Sequence, residues 1–186
     1  DAVILPGTML QGKTKVGKNC TLGPDTQLTD VICGDGNHLN RVYAHSCELG
    51  DNNEIGPFVH LRPETCLHND IKIGNFVEVK NSDVDDGTKL PHLIYCGDSD
   101  LGKNVNFGCG TVTVNFDGKN KHRCTIDEHA FIGCNTNLVA PVHVGTRAFT
   151  AAGSTITKDV PAKALAVGRA KQVNIENWVK EDTYKD

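Results

Sequence analysis

Aliphatic residues recur every six positions along most of this chain: Ile4, Leu10, Val16, Leu22 and Leu28, then Leu49, Ile55, Leu61, Leu67, Ile73 and Val79, then Ile126, Ile132, Leu138, Val144 and Ile156, with Thr150 holding one slot. Four residues after each stands a mostly small or β-branched side chain, such as Thr8, Thr14, Cys20, Thr26, Ile32, Val59, Thr65, Ile71, Val77, Ala130, Thr136, Val142, Ala148, Ser154 and Val160, with Asn53 and Asp83 as exceptions. A period of six matches neither a helix nor simple strand alternation. It is the pattern of a hexapeptide β-helix. Each repeat supplies a short strand and a turn, three strands close a coil of about 18 residues, and stacked coils bury the aliphatic column. The second inward position lies near a corner, where space is tight, so small residues fill it.

The register breaks in four places. The interval from Leu28 to Leu49 is not a multiple of six, and the steps from Val79 to Val84 and from Cys96 to Leu101 are five. Between Thr113 and Ile126 extra residues run from Val114 to Arg123, with Asp117-Gly118 reading as the turn of a loop thrown out from the coil. Insertions of this kind map to one face, often a binding face. The expected architecture is therefore all-β, a parallel β-helix over residues 1–170. A tail over 171–186 follows, with a short amphipathic helix over 174–181 whose Ile175, Trp178 and Val179 share one side. Trp178 is expected to cap the open end of the coil or to meet a neighbour.

Composition narrows the function. At 186 residues the chain is one domain's worth. A net charge of −4 leaves no nucleic-acid footprint, and no apolar run approaches a membrane span. The chain starts at Asp1 in mid-repeat, so it reads as an excised domain. Eight cysteines occur without any Cys-x-x-Cys. Cys20 takes a corner slot and Cys96 an aliphatic slot, which fits reduced thiols packed as small hydrophobes in a cytoplasmic setting, with no metal role.

Two sets of outward residues bear on chemistry. His92 lies two positions after inward Leu90 and directly after Pro91, so it points out of the coil. An imidazole there can serve as a general base or simply be a surface residue, and the spacing leaves both readings open. The other seven histidines show no metal spacing. Arg62 and Lys80 each follow an inward residue and stand one 18-residue coil apart, so they stack on one edge. Two adjacent cations repel unless an anion lies between them, and a phosphate is the natural candidate beside two solvated charges.

The strings Gly56-Pro57-Phe58, Leu61-Arg62-Pro63, Gly74-Asn75-Phe76-Val77-Glu78-Val79-Lys80 and His92-Leu93-Ile94-Tyr95-Cys96-Gly97-Asp98 make the chain recognisable. So do Asn104-Val105-Asn106, Asn115-Phe116-Asp117-Gly118 with Asn120-Lys121, Asn137 to Val142, Ala151-Ala152-Gly153-Ser154 and Ala164 to Arg169. Over nearly its whole length the chain resembles the C-terminal acetyltransferase domain of the bifunctional bacterial N-acetylglucosamine-1-phosphate uridyltransferase / glucosamine-1-phosphate acetyltransferases. The resemblance implies a left-handed coil and a homotrimer with active sites at subunit interfaces. It implies acetyl-CoA as donor, and α-D-glucosamine 1-phosphate as the acceptor on the way to UDP-N-acetylglucosamine and the cell envelope. It implies His92 as catalytic base, Arg62 and Lys80 on the sugar phosphate, Tyr95 and Asn106 on the sugar, and Lys121 reaching a ligand at a neighbouring subunit. Cys109, Asn115, Phe116, Cys134, Ala152 and Arg169 would line the acetyl-CoA site, with no metal needed for the transfer and with a backbone N–H of the 151–153 turn as oxyanion donor. Two positions depart from the pattern: Phe116 stands where tyrosine is common, and Cys134 where some members have serine. Affinity is expected to change and activity to remain. The nucleotide-binding half is absent from this chain, so uridyl transfer is not expected of it. Two rival readings are a hexapeptide acyltransferase with another amino acceptor and a non-enzymatic scaffold or flat binding coil.

Overall fold

The computed structural model describes residues 1–179. All but two of the described strands are short, and every ladder between strands is parallel. Strands stack on three faces. The first face carries ten, from Val3–Ile4 to Leu165–Ala166, with Ile4 opposite Leu22, Leu22 opposite Leu39, and Ile55 opposite Ile73. The second face runs from Met9–Gln11 to Thr155–Ile156. The third runs from Lys15–Val16 to Val142–Val144. Two long strands, Lys72–Lys80 and Lys89–Gly97, turn a corner and join the first face to the second. The sequence expectation of a hexapeptide solenoid is met.

The column from Leu22 through Leu61, Leu67, Ile73, Leu90, Ile126, Ile132 and Leu138 is fully buried, and Phe107 is one ring that the narrow interior accepts. At about 25 cal/mol per Å² of apolar surface, this ladder is the main stabilising term. Ile4 and Leu10 remain 48% and 44% exposed because the first coil has nothing stacked on its open side within this chain.

The broken interval resolves into inward Cys33, Leu39, Ala44 and Leu49, reached by steps of five, six, five and five. Each shortened step moves the corner residue back by one. Val31 is therefore buried and Ile32 half exposed, and Ser82 takes the slot that Asp83 was read to occupy. Polar corner residues replace the missing backbone partners. Asn37 donates to Gly50 O at 2.7 Å while its own oxygen accepts from Asn53 N at 3.0 Å. Asn53 repeats the motif to His68 O and Ile71 N. Thr150 keeps its inward slot because its hydroxyl accepts from Gly133 N at 3.0 Å and meets Thr136 Oγ1 at 3.1 Å. No buried side-chain polar atom among the described residues lacks a partner, as a solenoid interior requires.

The tail differs from the expectation. No helix forms through Val179, and Asn177 takes φ 57°, a left-handed conformation that ends a right-handed helix. Ile175 and Trp178 are 70% and 68% exposed, so Trp178 does not cap the coil in the isolated chain. A segment this short has too few turns to hold a helix without packing. Lys180 and Glu181, the end of the expected helix, lie outside the described residues.

Candidate functional site

The 18-residue logic holds for Arg62 and Lys80. Arg62 N donates to Val79 O at 2.8 Å, which sets Arg62 beside Lys80, and Lys80 in turn stands opposite Gly97. Each cation has its own carboxylate. Arg62 Nη1 lies 2.8 Å from Glu78 Oε1, and Lys80 Nζ lies 3.6 Å from Asp98 Oδ1. Glu78 raises the Arg62 guanidinium above its ordinary value through that hydrogen bond.

Asp98 is the hub. It is buried, and its carboxylate accepts from Asn81 Nδ2 at 2.6 Å and from Asn115 Nδ2. Burial pushes its pKa up, but Asn81, Asn115, Lys80 and Lys121 together hold it below the usual carboxylate range. Asn115 Nδ2 also lies 3.2 Å from the Tyr95 hydroxyl. Gly97 makes this possible. A Cβ there would stand 2.5 Å from the Tyr95 hydroxyl and 2.7 Å from Asn115 Nδ2.

Lys121 arrives from the inserted loop. The insertion is a small hairpin, closed by a Phe116–Lys121 bridge and by His122 N donating to Asn115 O at 2.8 Å. Asp117 pins the turn by accepting from Lys119 N and Asn120 N at 2.8 and 2.6 Å and by meeting His122 Nε2 at 2.7 Å. The Lys121 ammonium has its pKa lowered by its contact with Lys80. Three cations and two carboxylates thus share one spot, and a dianion placed there relieves the repulsion between Lys80 and Lys121. Sequence reading missed Glu78 and Asp98 as members of this cluster. The same coil spacing that pairs Arg62 with Lys80 also brings Asp98 to Lys80, so the signal was present.

A second line of residues runs along the corner between the first and second faces. Gly110 N donates to His92 O, Asn135 N to Cys109 O, and Gly153 N to Cys134 O. His92, Cys109, Cys134 and Ala152 are therefore one column in successive coils. Glycines keep its amides open: a Cβ at Gly108 would stand 2.5 Å from Cys134 N, and one at Gly133 would stand 2.7 Å from Ala152 N. Ala151 N and Gly153 N are spent on Ala166 O and Cys134 O. Among the described residues, Ala152 N is thus the uncommitted amide of its turn. Arg169 Cδ passes 3.8 Å from where a Cβ of Gly153 would lie.

The structure does not bring all the expected residues together within one chain. No hydrogen bond or ion pair of the cation cluster involves His92 among the described residues. Asn106 pairs with Lys89 on the first face, across the corner from Tyr95. Phe116 is 55% exposed on the hairpin and Cys134 is exposed. The corner carries Phe58, Phe76 and Leu93, all more than half exposed and all in left-handed conformations. The two Phe rings stack at 5.4 Å and 2°. They edge a groove of about 980 Å³ lined by Tyr43, His60, Glu78 and Tyr95, whereas His92 lines a separate groove with Gly74 and Pro91.

No family model matches the chain. Sequence relatives do. The chain is 53% identical over 179 residues to "Bifunctional protein GlmU" of Geobacillus sp. (strain WCH70), covering 96% of this chain and 39% of that protein. It is 55% identical over 181 residues to the protein of the same name from Caldanaerobacter subterraneus subsp. tengcongensis, covering 97% and 40%. The chain is homologous to the bifunctional GlmU proteins. It spans about two fifths of the length of these GlmU relatives. Among solved structures, the UDP-N-acetylglucosamine O-acyltransferase (LpxA) from Moraxella catarrhalis aligns with a TM-score of 0.52 at 14% identity, over 90% of this chain and 69% of that one. At that identity the likeness speaks for the shared solenoid alone. No helix among the described residues is long and apolar enough to cross a membrane.

Proposed function

We propose that this chain transfers the acetyl group of acetyl-CoA to the 2-amino group of α-D-glucosamine 1-phosphate, giving N-acetylglucosamine 1-phosphate. The observation that carries the reading is the cluster of Arg62, Lys80 and Lys121 around Glu78 and Asp98, a ready seat for a sugar phosphate. The similarity to GlmU proteins points to the same chemistry.

Acetyl-CoA supplies a thioester whose carbonyl carbon the amine attacks. The acceptor binds as an ammonium, so a proton must first leave. His92, exposed in its groove, takes that proton. The Ala152 N–H, open beneath Gly133, faces the oxygen on which charge develops. The C–N bond forms, the C–S bond breaks, and CoA leaves as a thiolate that takes up a proton. The chain contributes alignment, a base and oriented donors. No covalent enzyme intermediate arises, so Cys134 acts as a contact. Tyr95 orients the sugar side of the site. Asn115, expected among the acetyl-CoA residues, instead supports that side here through its contacts with the Tyr95 hydroxyl and Asp98, and Arg169 lies beside the column that holds the donor. The transfer draws on no metal ion.

The working form in this reading is a homotrimer, with His92 and Asn106 meeting the cation cluster across subunits. The exposed apolar ridge of Phe58, Phe76 and Leu93 fits burial in such an interface. The reaction would feed the synthesis of UDP-N-acetylglucosamine for the cell envelope.

The test is release of CoA thiol from acetyl-CoA with glucosamine 1-phosphate, beside unphosphorylated glucosamine, for the parent chain and for His92→Ala. Turnover confined to the phosphorylated sugar and reduced by roughly 10²–10⁴-fold in His92→Ala supports the proposal. Equal use of glucosamine would shift the acceptor to another amine, and an undiminished variant would remove His92 from the mechanism. Sedimentation of the same preparation reads the oligomer.

A further inference from the structure

The third face carries a group of side chains that acetyl transfer does not use. Cys66 Sγ, a ring nitrogen of His68 and a carboxylate oxygen of Asp83 all lie within 4.8 Å of one another. Their convergence follows from the register. Cys66 stands opposite Asp83 and Leu67 opposite Val84. Leu67 is buried, so its neighbours Cys66 and His68 both project outward. His68 N donates to Val84 O at 2.9 Å, which sets His68 next to Asp85. His68 Nε2 lies 3.0 Å from Asp83 Oδ1.

The charge around the group is lopsided. Along one outward column stand Glu48, Cys66, Asp83 and Asp100 in successive coils. Carboxylates directly opposite on adjacent strands repel. Asp100 is answered by Arg123, and Asp86 by Lys103 at 2.9 Å and by Asn69. Asp83 has no lysine or arginine partner among the described residues, only His68.

We propose that Cys66, His68 and Asp83 form a binding site for one zinc-class divalent cation that ties two successive coils together. The donor set decides the class. Thiolate, imidazole and carboxylate together suit zinc, whereas magnesium and calcium take oxygen ligands. Three protein ligands leave a fourth position for water, with Asp85 adjacent. Zinc draws its ligands to about 2.0–2.3 Å, a contraction that rotamer changes of these half-exposed side chains supply without moving the ladder. The site is independent of the acetyl-transfer reading. Its spacing, Cys66-x-His68 and then Asp83, carries no known motif and becomes visible only through the coil register.

The experiment is titration of the whole chain with cobalt(II), followed by displacement with zinc. The expected result is one equivalent bound, with a thiolate-to-cobalt charge-transfer band that Cys66→Ser abolishes and Cys134→Ser leaves intact. His68→Gln and Asp83→Asn should each weaken zinc, measured against a chromogenic chelator, by at least about tenfold, since even residues that merely orient a ligand cost that much. Circular dichroism checks that each variant keeps its fold. Absence of the band, or a band that survives Cys66→Ser, overturns the site. In the parent, saturating zinc should raise the thermal midpoint, and in Cys66→Ser it should not.

Discussion

Lys80 Nζ sits 3.6 Å from Asp98 Oδ1, and Asp98 is in turn held by the side-chain amides of Asn81 and Asn115. The buried carboxylate is thus the anchor of a cation that needs to face a ligand. Lys80 has only 17% of its side chain exposed, so its ammonium is aimed rather than free. Asp98→Asn keeps the shape and turns one accepting oxygen into a donor. One of the two amide donors, Asn81 or Asn115, then loses its acceptor, which costs about 1–3 kcal/mol in urea unfolding. The same change should raise KM for the phosphorylated sugar more than it lowers kcat, because it releases a binding cation. An unchanged KM would remove Asp98 from the site. Asp98 also contributes acid sensitivity. Its folded pKa is depressed, so its stabilisation is whole above the ordinary carboxylate value of 3.8 and is lost as pH falls below it.

Gly97 is required by the space it leaves and not by its backbone angle. Gly97→Ala should fold, since the atoms it meets are side-chain ends, the Tyr95 hydroxyl at 2.5 Å and Asn115 Nδ2 at 2.7 Å. Both must move, and both orient the proposed sugar site. The expected outcome is a loss in kcat/KM of roughly tenfold or more with an unchanged far-ultraviolet spectrum, a misplacement effect of the kind that can reach about 10²-fold. Activity equal to the parent would mean that Tyr95 and Asn115 do not act together.

The solenoid was legible because one inward aliphatic per hexapeptide leaves a period that no other fold produces. Legibility failed where the corner was built differently. From Leu28 to Leu49 the inward residues are Cys33, Leu39 and Ala44, two of them too small to stand out, and Asn37 and Asn53 fill corners through side-chain hydrogen bonds rather than apolar packing. Arg62 and Lys80 were found by their spacing, but their carboxylates were not, because Glu78 and Asp98 look like ordinary outward residues until the ladder is known. The column of His92, Cys109, Cys134 and Ala152 is irregular in sequence, since the inserted hairpin lengthens one coil. The tail misled for a different reason: an amphipathic pattern of a few residues carries no packing partner with it.

Thiol reactivity separates the inward cysteines from the outward ones. Burial pushes Cys33, Cys96 and Cys124 up to about 12 and Cys47 to about 11, so none offers a thiolate at neutral pH. Cys20 is equally enclosed, whereas Cys134 is exposed and Cys66 and Cys109 are partly so. Reaction of the native chain with an aromatic disulfide reagent should therefore consume Cys134 first, then Cys66 and Cys109, and spare the other five until denaturant is added. Acetyl-CoA should slow labelling of Cys134 and zinc that of Cys66. Rapid labelling of Cys96 or Cys124 in the native state would contradict the closed core.

The hairpin that carries Lys121 depends on one exposed carboxylate. Asp117 is held at about 2, well under its ordinary 3.8, by the amide of Asn120, then by His122 and the amide of Lys119. A depressed acid contributes its full effect above the unfolded value and loses it as pH falls through the folded one. The turn should therefore stay ordered across the neutral and mildly acid range and open only towards about pH 2. Carboxyl carbon shifts of Asp117, with the amide shifts of Lys119 and Asn120, read this directly, and a midpoint at the ordinary carboxylate value would show that the turn is not held this way. Asp117→Ala removes all three contacts at any pH. It should leave the coil's stability nearly unchanged, because the hairpin stands outside the core. It should also raise KM for glucosamine 1-phosphate by freeing Lys121 from its place beside Lys80. If KM stays constant while the amides of Lys119 and Asn120 lose protection, Lys121 has no part in binding the phosphate, and the anion seat reduces to Arg62 and Lys80.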